Sequence, residues 1–167
     1  SVLKEFSQYL KTNERLILNA NKKDISKAKS KKINDSMIDR LKLNSEKILQ
    51  IRDSINKIIK FKDPVGKTLS SWKRPNGLVI KRKSISIGVI GIIYESRPNV
   101  TSDVSALCFK SGNVVILRGG SEAFYSNKIL AKLFKKALKK KKCDENCVQF
   151  VESKDRNHVD YLLSGMK

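Results

Sequence analysis

Apolar positions recur at two different periods along this chain, and the change of period divides it. Up to about residue 60 the spacing is helical. Val2, Leu3, Phe6 and Leu10 share one face, then Leu16, Ile17, Ala20 and Ile25, then Ile48, Ile51, Ile55, Ile58 and Ile59 behind an Asn44 or Ser45 cap. These faces carry no constellation that points to chemistry and read as helix packing. The first helix runs from Ser1 with no cap before it, so we expect residues upstream. Asp63-Pro64-Val65-Gly66 ends the helical region, because Pro and Gly both interrupt regular structure.

Two extended segments follow, 67–72 and 78–83, around Arg74-Pro75-Asn76-Gly77. Asn-Gly with a preceding Pro predicts a tight hairpin turn. Its apolar side chains, Trp72, Leu78 and Ile80, need either a partner surface or a fold back onto their own domain. From residue 87 the pattern becomes continuous apolar runs separated by helical stretches. The run 87–94, broken only by Gly88 and Gly91, reads as a strand buried on both faces, with the glycines allowing close approach of other backbone. A helix is predicted over 101–110 under a Thr, Ser or Asp cap, with Val104, Leu107 and Cys108 on its inner face. A second buried strand, 114–117, ends in Arg118-Gly119-Gly120-Ser121-Glu122. Glycine there lets backbone N–H groups face a ligand at the start of the next helix, 123–138.

That helix buries Ile129, Leu130, Leu133, Phe134, Ala137 and Leu138, and a short strand, 148–151, and an amphipathic piece, 155–163, complete the series. Strictly alternating β and α elements force parallel pairing with right-handed crossovers. The fold class is therefore α/β, a Rossmann-like parallel sheet with flanking helices, preceded by N-terminal helices and a protruding β-hairpin. Three parts follow: 1–60 helical, 61–84 hairpin, 85–167 an incomplete Rossmann-like domain. Ligands of such sheets sit beyond the carboxyl ends of the strands, so the loops 95–99, 118–122 and 152–153 should share one edge.

Composition narrows this further. No apolar run is long enough for a membrane helix, and no signal peptide opens the chain. Three cysteines, Cys108, Cys143 and Cys147, fit reduced cytoplasmic thiols better than a disulfide framework. With His158 the only histidine and distant in sequence, no zinc-type ligand set is expected. A net charge of +20 invites a nucleic-acid reading. The lysines are spread along the chain, however, among abundant Asn and Ile such as AT-rich coding produces, and no recognition motif accompanies them. No specific nucleic-acid partner is expected; a basic binding module on the same fold and a dimerisation fragment stand as the readings from other classes.

Four ordered motifs add a resemblance. Ile87-Gly88-Val89-Ile90-Gly91 with Tyr94-Glu95-Ser96-Arg97-Pro98-Asn99-Val100, then Lys110-Ser111-Gly112-Asn113, then Leu117-Arg118-Gly119-Gly120-Ser121-Glu122-Ala123 resemble the γ-glutamyl phosphate reductases. These are also called glutamate-5-semialdehyde dehydrogenases, of the aldehyde dehydrogenase superfamily. The likeness is dense over 61–128 and looser elsewhere, where Leu18-Asn19-Ala20-Asn21 and Asp63-Pro64-Val65-Gly66 also match. It implies an aldehyde dehydrogenase-like cofactor domain, NADPH as cofactor, L-glutamyl 5-phosphate as substrate in proline biosynthesis, and a hairpin that joins subunits of a homo-oligomer. Another aldehyde or acyl-phosphate dehydrogenase remains the alternative within the enzyme class.

Residue by residue, the resemblance puts Arg118 on the 2′-phosphate of NADP, where a guanidinium binds in bidentate fashion. Gly119, Gly120 and Ser121 fall at the adenosine end. Glu122 falls there too or at the helix start, and Tyr94 begins the loop beneath the nicotinamide. Asn99 is the candidate donor to an oxyanion, with Arg97 the choice in strict register. The nucleophilic cysteine of the family has no counterpart here: Cys108 lies on a buried helix face, and the other two read as surface thiols. The resemblance thus implies the front, cofactor-binding part of a reductase, inactive alone.

Overall fold

The computed structural model describes residues 1–153, 155 and 157–164, the side chain of residue 158 excepted. His158 as a ligand candidate and part of the piece expected over 155–163 therefore lie outside the described residues. Four helices come first, α1 (Val2–Thr12), α2 (Glu14–Ser30), α3 (Asp35–Leu41) and α4 (Ser45–Lys60). Asn34 and Asn44 cap α3 and α4 by accepting from the N–H groups of Met37 and Lys47. An antiparallel hairpin, β1 (Thr68–Lys73) and β2 (Val79–Lys83), is followed by β3 (Val89–Tyr94), α5 (Pro98–Lys110), β4 (Val114–Gly119), α6 (Phe124–Lys140), β5 (Val148–Phe150) and α7 (Asn157–Ser164). The strands β3, β4 and β5 lie side by side in that order, all parallel.

One core joins the first helices to the sheet. Phe6 of α1 and Phe134 of α6 are both fully buried, their ring centroids 4.7 Å apart, amid Leu10, Ile17, Ile55, Val115 and Leu117. Burying such side chains stabilises the fold by about 1.5–3 kcal/mol each. Lys140 and Lys141, at the carboxyl end of α6, pair with Glu5 of α1, and Lys140 holds that carboxyl below the usual carboxylate range.

Several expectations change. On α2 the buried face is Ile17, Asn21, Asp24 and Ala28, whereas Leu16 is exposed. Two polar residues occupy core positions there, because they bond to other elements. The inner face of α5 consists of Thr101, Ser102, Ser105, Ala106 and Cys108; Leu107 points away, into a shallow hollow beside Phe61 and Pro64. No Thr, Ser or Asp side chain caps α5. Arg97 occupies that position without a side-chain bond and Pro98 opens the helix, where its missing N–H costs nothing. Nor is β3 buried on both faces. Ile90, Ile92 and Tyr94 pack toward the core, while Val89 and Ile93 on the opposite face are about half exposed. Among the described residues β3 is an edge strand. Gly88 has a φ of +119° with open space around it, so its need is conformational and not one of close approach.

The hairpin does not fold back on its own domain. Both strands are exposed, Trp72 opposite Ile80 and Lys73 opposite Val79, and Trp72 keeps 45% of its surface in solvent. Gly77, at a φ of +87°, closes the turn as the Asn-Gly pair predicts. No described helix is long and apolar enough to cross a membrane.

Candidate functional site

Parallel strands end on the same side, and the register of β3 against β4 sets Tyr94 beside Gly119. Beyond these ends lies a cleft of about 370 Å³. It is lined by Tyr94, Glu95 and Ser96 from the end of β3, Arg118, Gly120, Ser121 and Glu122 from the end of β4, and Met37, Ile93 and Val159. The structure thus brings together Tyr94, Arg118, Gly120, Ser121 and Glu122, with Gly119 packed behind them.

Each member is held by a neighbour. Arg118 is buried and donates to the carbonyl oxygens of Gly119 and Asp155. Glu122 ties the two loops together: one carboxylate oxygen accepts from the Ser96 hydroxyl at 2.9 Å and the other from Ser121 at 2.8 Å. Burial works against ionisation of Glu122, yet its backbone N–H, the Ser121 and Ser96 hydroxyls and the charge of Lys31 together hold its carboxyl below the usual range. It is an anion at neutral pH. Glu122 does not cap α6, however.

A Cβ at Gly120 would lie 2.9 Å from Glu122 Oε2 and 3.0 Å from Ser96 Oγ, so the contact between those two side chains would have to give. The case at Gly119 is sharper, with a Cβ 2.2 Å from Asn127 Nδ2 and 3.0 Å from the Tyr94 ring. Those two neighbours belong to a buried chain in which the Tyr94 hydroxyl lies 2.7 Å from Thr101 Oγ1, which donates to Asn127 Oδ1 at 2.9 Å. Burial pushes the Tyr94 phenol up to about 12, against the opposing effects of Thr101 and Arg118. Tyr94 is a neutral phenol at physiological pH and serves as a spacer and hydrogen-bonding group, not as a base.

The first turn of α6 is less open to anions than its glycine-rich approach suggests. Asp24 of α2 accepts from the N–H groups of Tyr125 at 3.0 Å and Ser126 at 2.7 Å, taking donors that the sequence pattern offers to a ligand. Asn99 stands apart from the cleft. It lies on the first turn of α5 with Nδ2 3.4 Å from Asp103 Oδ2, lining a second cleft with Arg40, Lys42, Lys47 and Ser54. Arg97 is exposed. From this loop it is Glu95 and Ser96 that reach the first cleft, neither of them singled out by the sequence. No thiol lines it: Cys108 is buried with its pKa raised by burial, and Cys143 and Cys147 pack against the core near the far end of α6. Among the described residues no group of His, Cys, Asp and Glu is placed to hold a metal.

No family model matches the chain. It is nevertheless 44% identical, over 162 residues and 97% of its length, to the γ-glutamyl phosphate reductase of Petrotoga mobilis. The crystal structure of γ-glutamyl phosphate reductase from Thermotoga maritima superposes with a TM-score of 0.92 at 42% identity, over 95% of this chain. Along almost its whole length the chain is similar to the γ-glutamyl phosphate reductases. It spans 39% of the Petrotoga relative and 38% of the Thermotoga chain. A propionaldehyde dehydrogenase from Rhodopseudomonas palustris, at 18% identity and a TM-score of 0.64 over 98% of this chain, shares the fold.

Proposed function

We propose that this chain is the NADPH-binding part of an enzyme that reduces L-glutamyl 5-phosphate to L-glutamate 5-semialdehyde, a cytoplasmic step of proline biosynthesis. The observation that carries this reading is the convergence of Arg118, Gly120, Ser121 and Glu122 at the carboxyl edge of β3 and β4 in a chain 44% identical to a γ-glutamyl phosphate reductase. The cleft fits a dinucleotide chemically. The missing Cβ of Gly120 lets the Glu122 and Ser96 side chains close around the turn that borders the cleft. The guanidinium of Arg118, fixed by two carbonyl oxygens, suits a 2′-phosphate, and the Glu122 anion suits ribose hydroxyls.

When bound, NADPH supplies the hydride. This chain's own residues bind and orient: Arg118 and Glu122 hold the adenosine end, the Gly119-Gly120 turn sets its depth, and neutral Tyr94 forms the floor. None of the three thiols lies in this cleft, so the covalent step draws its nucleophile from elsewhere in the whole enzyme. Asn99, out of the cleft here, is not assigned to the oxyanion.

The test is the thermal midpoint of the chain with saturating NADPH, NADH or ATP, at two salt concentrations. Ligand that binds only the folded state raises the midpoint. We expect a larger rise with NADPH than with NADH and its loss in Arg118→Ala. No rise with any dinucleotide sinks the reading, and salt-dependent binding of DNA in its place favours the basic-module alternative.

A further inference from the structure

The second cleft, of about 280 Å³, has walls of opposite charge. One wall is the corner between α3 and α4, which carries Arg40, Lys42 and Lys47. That corner is fixed from behind: Asn21 donates to the carbonyl oxygen of Leu41 and accepts from the N–H of Leu43, both at 2.8 Å. Lys47 Nζ donates to the carbonyl oxygens of Asp39 and Lys42, at 3.0 and 2.8 Å, so its role is to brace the corner. Arg40 and Lys42 are the cations that remain for a ligand.

The facing wall is α5, with Asn99 and Asp103 one turn apart and Ser54 of α4 beside them. Asp103 Oδ1 is shut off from solvent and accepts no hydrogen bond, and the rest of the carboxylate meets Ser54 and, at 3.4 Å from Oδ2, Asn99 Nδ2. A buried carboxylate oxygen without a donor is costly and calls for one. Burial, opposed by Ser54 and Asn99, raises the pKa of this carboxyl, as expected of a group short of donors. A simple anion in the cleft would meet Asp103, and a simple cation would meet Arg40 and Lys42. A zwitterion satisfies both walls. The cleft also adjoins the first one through the loop at the end of β3: Ser96 lines the cofactor cleft and Asn99, three residues on, lines this one.

We propose that this cleft binds the α-amino-acid head of the substrate, with Asp103 and Asn99 taking the α-ammonium and Arg40 and Lys42 the α-carboxylate. The proposal rests on the reading of the chain as part of a glutamyl phosphate reductase. It assigns substrate selectivity to residues that carry no part of the cofactor.

Calorimetric titration of this chain with L-glutamate, glutarate, γ-aminobutyrate and inorganic phosphate tests it. L-Glutamate should bind about tenfold more tightly than glutarate, which lacks the ammonium, or γ-aminobutyrate, which lacks the α-carboxylate; tenfold corresponds to one charge-assisted hydrogen bond. Asp103→Asn should abolish the preference for L-glutamate over glutarate, and Arg40→Ala with Lys42→Ala should weaken both. The NADPH-induced rise in midpoint should be the same in all these variants. Absence of saturable L-glutamate binding at millimolar concentration, an unchanged preference in Asp103→Asn, or inorganic phosphate binding as well as L-glutamate overturns the proposal. L-Glutamate selectivity without any NADPH effect would leave this cleft standing and sink the cofactor reading, so the two failures are distinct.

Discussion

Asp24 grips Ser126 twice. One of its carboxylate oxygens accepts from both the N–H and the hydroxyl of Ser126, each at 2.7 Å, and the other from the N–H of Tyr125. A helix start is thus capped by a residue about a hundred positions earlier, buried at 1% exposure. Hydrogen bonds to a charged group are worth about 1.5–3 kcal/mol each, and leaving donors buried without partners adds to the loss. Asp24→Ala should therefore destabilise the chain by about 3 kcal/mol or more in urea titration, with Asp24→Asn losing less. An unchanged midpoint would mean that the cap contributes nothing.

Gly119→Ala should destabilise by about 1–3 kcal/mol, the usual range for overpacking. The new methyl forces the Asn127 amide aside, and that amide is tied to Thr101. Combined with Asn127→Ala, the substitution should therefore lose less than the two single losses added together. Strict additivity in that cycle would place the strain elsewhere.

Tyr94→Phe removes the hydroxyl bonded to Thr101 and should lower stability by about 1 kcal/mol. The folded phenol titrates at about 12, above the ordinary value of 10, so its protonated form is favoured by folding. Stability referred to Tyr94→Phe should be constant below pH 10 and fall as pH rises toward 12. Chemical denaturation across that interval reads it out, and a flat difference would remove the burial argument.

For Asp103 the folded carboxyl lies above its ordinary range, so folding favours its protonated form. The stability this contributes is present at acid pH and lost as pH rises through the folded value. Asp103→Asn should accordingly raise the thermal midpoint at pH 7, with the gain shrinking as pH falls into the carboxylate range. A lower midpoint at pH 7 would make Asp103 a structural acceptor.

The hairpin exposes Leu69, Trp72, Leu78 and Val79 together. We expect it to join two copies of the chain, as an apolar ribbon left in water favours association. Sedimentation should show concentration-dependent self-association that Trp72→Ser with Leu78→Ser abolishes; a monomer at all concentrations would rule the hairpin out as the joint.

How legible this was depended on the kind of interaction. The strands 114–117 and 148–151, the long helix after the glycine turn, and the Asn-Gly hairpin were all readable, because apolar period and turn chemistry are local signals. So was the grouping of Tyr94 with Arg118 and Glu122, which follows from strands ending on one side. Asn21 and Asp24 were missed, although both keep the phase of Ile17 and Ala28. A polar residue in step with a buried face is the available signal, but its partners lie 20 to 105 positions away. Leu107 misled for the opposite reason: the tight inner face of α5 is built from Ser, Thr and Ala, so the largest apolar side chain was not the buried one. Asn99 stands on the first turn of the helix that begins at Pro98 and lines the second cleft, a placement that strand order alone does not foretell.

Within α2, three positions separate Asn21 from Asp24, less than one turn of helix. The first fixes the corner that carries Arg40 and Lys42; the second fixes the start of α6 behind the glycine turn. Both clefts therefore hang from one short ruler. A kink in α2 would not merely loosen the fold but change the span between them, and with it the length of ligand that can reach from one to the other.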